Sequence, residues 1–328
     1  MPVRPDETLV ERFRRSLAEL IPLDEGRIGI AVSGGPDSVA LLLLAAATLP
    51  NRVEAATVDH RFRGSSAGEA LGVAALCSRI DVPHATLTLD WTPPVANRQA
   101  RAREARYVAL GRWAAERGLA AVATAHHLDD QAETLLMRLD RGAGIAGLSG
   151  VRSEIVLATG GNSALKLIRP LLGWRRAELT AVPAELGVST IADPSNTDPA
   201  HDRSRARAWL ERSPDWPSRT RMASSARYLG EADAALDWAA ADLLARRLSG
   251  PAEAPLLDPE GIPSELKRRL LLLMVGGFNA SSGPPRSDRV TRALRLLDAG
   301  RVATIGGVVI RPRAGRWSFA PAPPRGRK

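Results

Sequence analysis

Residues 33–38, Ser33-Gly34-Gly35-Pro36-Asp37-Ser38, put two glycines, two hydroxyls and a carboxylate between an apolar run and a helical stretch. Glycines let backbone amides approach phosphate oxygens, and a helix N-terminus favours the anion. The loop lacks the lysine of a Walker sequence, so it predicts a phosphate grip of another kind. Asp37 is a candidate magnesium ligand that would offset phosphate charge. An ordinary Gly-Pro turn is the competing reading, and the flanking strand and helix weigh against it. A second group lies in Thr124-Ala125-His126-His127-Leu128-Asp129-Asp130-Gln131-Ala132-Glu133-Thr134. Asp130 and Glu133 are three apart and share a helix face, and Asp129 neighbours Glu133 at i,i+4. Helix capping needs one or two acids, so three acids beside two histidines predict a site for magnesium or a cationic substrate. Asp129 is the second candidate magnesium ligand, and His126 or a nearby carboxylate is the candidate base.

Short apolar runs end at each of these groups. Residues 28–32, 53–58, 85–89 and 120–124 read as strands; 38–47, 69–79, 99–117 and 129–139 read as helices. Such alternation predicts an α/β fold with a doubly wound parallel sheet, whose ligands sit at the carboxyl ends of the strands. The loop after residue 32, Asp59-His60 and His126-His127 all fall at such ends. From about residue 215 the alternation stops. The expected organisation is a catalytic domain over 1–215, a smaller, mostly helical domain over 216–320 with a hairpin across Gly306-Gly307, and a disordered basic tail over 321–328. Gly142-Ala143-Gly144-Ile145-Ala146-Gly147 matches G-x-G-x-x-G but follows a helix, so it reads as a connecting loop and not as a dinucleotide site.

The chain has 328 residues, 45% hydrophobic and 25% charged, the proportions of a soluble globular protein. The run Val39–Ala47 is too short to span a bilayer, and the N-terminus lacks a signal-peptide layout, so a cytoplasmic protein with no membrane partner is expected. Cys77 is the only cysteine. It excludes an intramolecular disulfide and a cysteine cluster, and its apolar neighbours predict a packed thiol. The net charge of +9 and a pI near 10.8 suit a polyanionic partner such as nucleic acid. A coding bias toward arginine is the alternative, because Lys166, Lys267 and Lys328 are the only lysines among 45 basic residues.

Taken in order, Ser33–Ser38, Val58-Asp59-His60-Arg61-Phe62-Arg63, Ala102-Arg103-Glu104-Ala105-Arg106-Tyr107, Thr124–Thr134, Arg169-Pro170-Leu171-Leu172 and Asp193-Pro194-Ser195-Asn196 through Arg203 and Arg207 resemble the tRNA(Ile)-lysidine synthetases. These are PP-loop ATP pyrophosphatases. The SGGxDS loop marks only that superfamily, whereas H-H-x-D-D-Q-x-E-T with A-R-x-x-R-Y is far more specific. The resemblance covers residues 28 to about 207. It implies ATP-dependent adenylation at C2 of the wobble cytidine in an isoleucine tRNA with a CAU anticodon, release of pyrophosphate, and displacement of AMP by the ε-amine of L-lysine. Ser33, Gly34, Gly35, Pro36, Asp37, Ser38 and Asp59 would then hold ATP with Mg2+. Arg103 and Arg106 would face phosphates and the reacting nucleotide, Asp130 and Glu133 the lysine, and Arg203 and Arg207 the tRNA. A homodimer is left open. Arg61 departs from the family's usual glycine, and the residues around Arg203 and Arg207 depart from its usual aromatic and apolar ones. Three rivals share features of this pattern. A tRNA thiolase needs cysteines that Cys77 alone cannot supply. A small-molecule synthetase, such as an NAD or argininosuccinate synthetase-like enzyme, would not need the basic surface. A non-catalytic RNA-binding protein would not need the acidic cluster.

Overall fold

Four strands of five to seven residues, each followed by a helix, build most of the first half of the chain. The structure is a computed structural model, and it describes residues 3–24, 26–61, 66–89, 98–158, 164–191, 202–213, 216–278 and 285–323. Strands β1 (Arg27–Ala31), β2 (Val53–Asp59), β3 (His84–Thr88), β4 (Leu119–Ala123), β5 (Glu154–Ala158) and β6 (Ala164–Ile168) form one sheet in the order β3-β2-β1-β4-β6-β5. All neighbours are parallel except β5, which runs antiparallel to β6 at the edge. The chain moves outward from β1 to β3 and returns to place β4 on the other side of β1. That reversal makes β1/β4 the topological switch point of the α/β fold expected from the sequence.

Both faces are covered, as parallel sheets require. On one face Ile28 and Ile30 meet α1 (Glu7–Ala18), α2 (Pro36–Thr48) and α7 (Arg176–Glu185) through Phe13, Leu17, Leu41, Leu44, Leu179 and Val182. Helix α2 is apolar nearly all round because α1 and α7 cover the sides the sheet leaves open. Each fully buried leucine there contributes about 1.5–3 kcal/mol of transfer free energy. On the opposite face α4 (Arg98–Arg117) packs Tyr107, Leu110 and Trp113 against Val122, Leu165 and Leu167. Gly29 points that way, and a Cβ there would lie 2.6 Å from the Trp113 ring. The remaining helix of this sheet is α3 (Ser66–Arg79), whose Cys77 is fully buried in the core.

The chain divides into two compact units, residues 1–230 and 231–328. The division falls inside helix α9 (Arg219–Arg247), not at the 215/216 boundary expected from the sequence. Its physical cause is a small core in which Met222 and Leu229 pack with Ala132 and Leu135 of α5 (Leu128–Asp140) and Leu210 of α8 (Asp202–Arg212). The first turns of α9 therefore belong to the first unit. The short helix α6 (Ile145–Leu148) lies within the glycine-rich segment after α5, which forms a connecting loop.

The second unit is less helical than expected. Besides α10 (Ser264–Phe278) and α11 (Ser287–Asp298), it holds an antiparallel sheet in the order β7-β8-β11-β10-β9. Its strands are β7 (Leu248–Ser249), β8 (Leu256–Leu257), β9 (Ala303–Ile305), β10 (Val308–Arg313) and β11 (Arg316–Pro321). Strands β9 and β10 pair across Gly306-Gly307, as the hairpin reading required. Val308, Ile310, Trp317 and Phe319 turn from this sheet onto Leu270, Leu271, Val290 and Leu297 of the two helices. Residues 324–328, most of the expected tail, lie outside the described residues. No described helix is long and apolar enough to cross a membrane.

Candidate active site

The loops leaving β1 and β4 stand side by side at the switch point. The first is residues 33–38. Gly34 adopts φ +84°, a left-handed conformation that costs a side-chain-bearing residue about 1–2 kcal/mol. A Cβ at Gly34 would also lie 2.3 Å from Ile191 Cδ1, and Ile191 N donates to Gly34 O at 2.9 Å. Ser38 Oγ accepts from Ser33 N at 3.1 Å and donates to Gly35 O at 2.9 Å, so the two serines shape the loop internally. Gly35 caps α2 with no side-chain hydrogen bond, and Pro36 occupies the first helical position. The first-turn amides are thus left uncapped, which suits an anion. Asp37 Oδ1 is buried and has no hydrogen-bond partner among the described residues. An orphaned carboxylate oxygen beside free amides fits a hard cation travelling with phosphate.

The second loop carries the histidines. His127 is 2% exposed and caps α5: Asp130 N donates to its Nδ1 at 3.4 Å, and its own amide donates to Asp130 Oδ2 at 2.9 Å. Its Nε2 stands 3.6 Å from Asp37 Oδ2, joining the two loops. Burial alone would lower the His127 pKa. The contact with Asp37 and the charges of Asp130, Asp37 and Asp129 outweigh burial and hold it above the usual value. His126 behaves oppositely. Burial, then the guanidinium charges of Arg169, Arg203, Arg103 and Arg106, drive its pKa well below the ordinary histidine value. A ring whose protonated form is disfavoured accepts a proton less readily, which favours the nearby carboxylate of the two candidate bases. Its Nδ1 lies 3.0 Å from Thr124 Oγ1, so it is held as a neutral dipole.

Asp130 and Glu133 do share one face of α5, and both are buried. They are not free. Arg203 Nε donates to Glu133 Oε2 at 2.8 Å and its Nη2 to Asp130 Oδ1 at 2.9 Å, while Arg207 Nε donates to Glu133 Oε1 at 2.7 Å. Burial would lower the Arg203 pKa, but the Asp130 and Glu133 carboxylates raise it. Arg203 and Arg207, the arginines expected to face the tRNA, are thus partners of the Asp130 and Glu133 carboxylates. Between Asp129, Glu133, Arg176, Arg207 and Arg219 there remains a cavity of about 30 Å³.

Asp129, the second candidate magnesium ligand, has partners on two other helices. Its Oδ2 accepts from Arg176 N at 2.8 Å, and Arg219 Nε lies 3.3 Å from Oδ1. This amide and this guanidinium tie the start of α5 to α7 and α9, and Arg175 Nε adds a second positive charge 3.6 Å from Oδ2. Among the described residues no group of three or more His, Cys, Asp or Glu side chains gathers to hold a metal.

The comparisons with known proteins agree with this geometry. Residues 7–213 match the model of the PP-loop domain. The tRNA(Ile)-lysidine synthase of Novosphingobium aromaticivorans is 45% identical over 95% of this chain and 93% of its own length. The chain belongs to the tRNA(Ile)-lysidine synthase family. The synthase of Zymomonas mobilis is 41% identical over 92% of this chain and 90% of its own, and that of Ruegeria pomeroyi 40% over 89% and 70%. Among solved structures, a U34-tRNA thiolase from Methanococcus maripaludis with its 4Fe–4S cluster superposes with a TM-score of 0.57 at 16% identity, over 69% of this chain and 81% of its own. That likeness concerns the fold alone.

For a lysidine synthase family member, Arg61 in place of glycine has a visible consequence. It sits at φ +52°, where only glycine is free of strain, and its amide donates to Asp59 Oδ1 at 2.8 Å. Asp59 thereby holds its own turn at the end of β2. Arg103 and Arg106 rise from α4, each with its guanidinium over the Tyr107 ring, at 5.1 and 5.3 Å. Two residues escaped the sequence reading. His127 was outweighed by its neighbour, although a polar residue before an apolar helix is a capping signal. Arg169, the residue after β6, is 2% exposed, its Nη1 donating to Arg152 O at 2.5 Å. It lay in the quoted Arg-Pro-Leu-Leu segment without an assigned role. Phe62, Arg63, Asp193–Asn196 and His201, quoted for the resemblance, lie outside the described residues.

Proposed function

We propose that this chain forms lysidine at the wobble cytidine of a CAU-anticodon isoleucine tRNA, using ATP and L-lysine. As a member of its family it is a ligase that makes a carbon–nitrogen bond. The observation that carries the reading is the meeting, at one sheet edge, of an uncapped phosphate-binding loop and a buried carboxylate pair, bridged by His127 and Asp37 at 3.6 Å. A loop of amides suits the β- and γ-phosphates of ATP, and a pair of carboxylates suits a primary ammonium. The arginine-rich chain, with its net charge of +9, suits an RNA partner in the cytoplasm.

The steps follow from these placements. The cytidine C2 oxygen attacks the α-phosphorus, and pyrophosphate leaves. Residues 33–38 bind the departing phosphates, and Arg103 and Arg106 stabilise the charge that develops. Asp37 Oδ1 would hold Mg2+, which neutralises phosphate charge. Lysine then enters at Asp130 and Glu133, where its ammonium takes the place of the Arg203 and Arg207 guanidiniums. Its proton passes to this carboxylate pair, because burial and then the surrounding arginines disfavour the protonated form of His126. The free amine attacks C2, the C2–O bond breaks, and AMP leaves with the oxygen. Arg203 and Arg207, once displaced, are available to RNA phosphates.

The test supplies the purified protein with ATP, labelled lysine and a transcript of the isoleucine tRNA. Label in the RNA, with pyrophosphate and AMP in equal amounts, is the expected result. Pyrophosphate release on a small acceptor without RNA, and no label in RNA, would replace this reading by a small-molecule synthetase.

A further inference from the structure

We infer that His127 is a positioning residue that couples the phosphate-binding loop to the carboxylate helix, holding Asp37 so that one of its oxygens stays open to the phosphate-borne cation. The inference rests on the ATP-binding part of the functional reading above and not on lysine or tRNA. Its ground is the division of labour between the two ring nitrogens. Nδ1 accepts from Asp130 N at 3.4 Å, which requires the proton to sit on Nε2. Nε2 then directs its N–H between Asp37 Oδ2 at 3.6 Å and Asp130 Oδ2 at 3.7 Å. The ring is 2% exposed, so its orientation is fixed by packing as well as by the cap. Asp37 carries the complementary asymmetry. Oδ2 faces His127, whereas Oδ1 is buried with no hydrogen-bond partner among the described residues. A buried carboxylate oxygen left without a donor is costly unless something arrives to use it. Without His127, Asp37 would be free to turn, and the loop would lose this link to α5.

The two roles separate by substitution. Asparagine places an acceptor where Nδ1 stands and is a strong N-cap, but it cannot reach Asp37. Glutamine places an amide N–H where Nε2 stands and forfeits the cap. The dissociation constant of ATP with Mg2+ is measured by titration calorimetry on the full-length protein without RNA, alongside thermal melting. His127→Asn is expected to melt within a few degrees of the unsubstituted protein while binding ATP about tenfold more weakly, the equivalent of about 1.4 kcal/mol. His127→Gln is expected to melt lower yet recover most of the ATP affinity. Unchanged ATP affinity in His127→Asn overturns the inference, as does a rank order in which affinity simply follows melting temperature. Should glutamine prevent folding, the asparagine variant alone decides. Failure of lysine incorporation by the unsubstituted protein would refute the lysidine reading and leave this comparison intact, because ATP binding is read without either co-substrate.

Discussion

Glu133→Gln isolates the charge on which the proposed lysine site depends. Glu133 is 2% exposed, and its oxygens accept from Arg203 Nε, Arg207 Nε and Arg207 Nη2 at 2.8, 2.7 and 3.3 Å. Glutamine keeps the shape but removes the charge and turns an NH2 toward a guanidinium. A hydrogen bond to a charged partner contributes about 1.5–3 kcal/mol, so losing it for the lysine ammonium would lower kcat/KM by about 10- to 150-fold. The arginines also lose their partner, and lysine no longer has to displace a full ion pair. The two effects oppose each other, so the expected fall lies at the low end, about tenfold. On stability, removing one member of a buried pair costs about 3–5 kcal/mol where both partners are dry. The Arg203 side chain is 41% exposed and can turn to water, which reduces the cost to about 1–2 kcal/mol. The assay titrates labelled lysine at saturating ATP and tRNA, with pyrophosphate release followed in parallel. Lysine kcat/KM within twofold of the unsubstituted enzyme would refute the placement of lysine at Glu133. An equal fall in the ATP and lysine parameters would refute it too, since that pattern belongs to a general structural defect.

Three further outcomes follow from the packing. Gly34→Ala should weaken ATP binding about tenfold, because the left-handed conformation costs about 1–2 kcal/mol and Ile191 must move; an ATP dissociation constant within twofold would contradict it. Arg269→Met removes the guanidinium 2.6 Å from Asp233, a pair 5% and 1% exposed, and should cost about 3–5 kcal/mol in urea unfolding, with part recovered by adding Asp233→Leu. A loss below about 1 kcal/mol would show that the pair is dispensable. Burial pushes the Cys77 thiol up to about 12, so at pH 8 only about one part in ten thousand is thiolate. Iodoacetamide should therefore leave the native protein unlabelled and modify it rapidly in urea; fast native labelling would mean that α3 opens.

Local signals carried the reading of the catalytic half and failed elsewhere for identifiable reasons. Apolar runs ending at Val32, Val58 and Thr124 mark strands because both faces of a parallel sheet are covered, so the run is continuous. Helix α1 has the same clarity in principle, with Val10, Phe13 and Leu17 on one stripe, yet charged residues dominate its composition and it passed unassigned. Strand β5 lies at the sheet edge with Val156 exposed, and β6 beside it carries Lys166 between its buried Leu165 and Leu167, so neither shows the continuous apolar run of the inner strands. The second sheet was invisible beyond its hairpin because β7 and β8 are two residues each and exist only by pairing. The domain boundary shifted for a similar reason. A helix that starts at Arg219 cannot reveal from sequence that Met222 packs on α5 while its later turns serve another core.

The site divides along the same line. Residues 33–38 and the acidic start of α5 are legible because their chemistry is written within a few neighbours. The arginines are not, since a guanidinium pairs equally well with a phosphate or a carboxylate. Arg203 and Arg207 at i,i+4 present one face of α8, and only the packing of α8 on α5 turns that face to Glu133. The same placement sets a competition that composition could not express. The carboxylates that would receive a lysine ammonium already hold two guanidiniums, and the guanidiniums that would receive RNA phosphates already hold two carboxylates. Either substrate alone must break these pairs without replacing both halves. A phosphate and an ammonium arriving together would satisfy every charge that the broken pairs release. Lysine affinity should therefore rise when tRNA is bound, and the tRNA affinity should rise by the same factor when lysine is present, as linkage requires. Equal lysine affinity with and without tRNA would show that the arginines stay on Glu133 throughout.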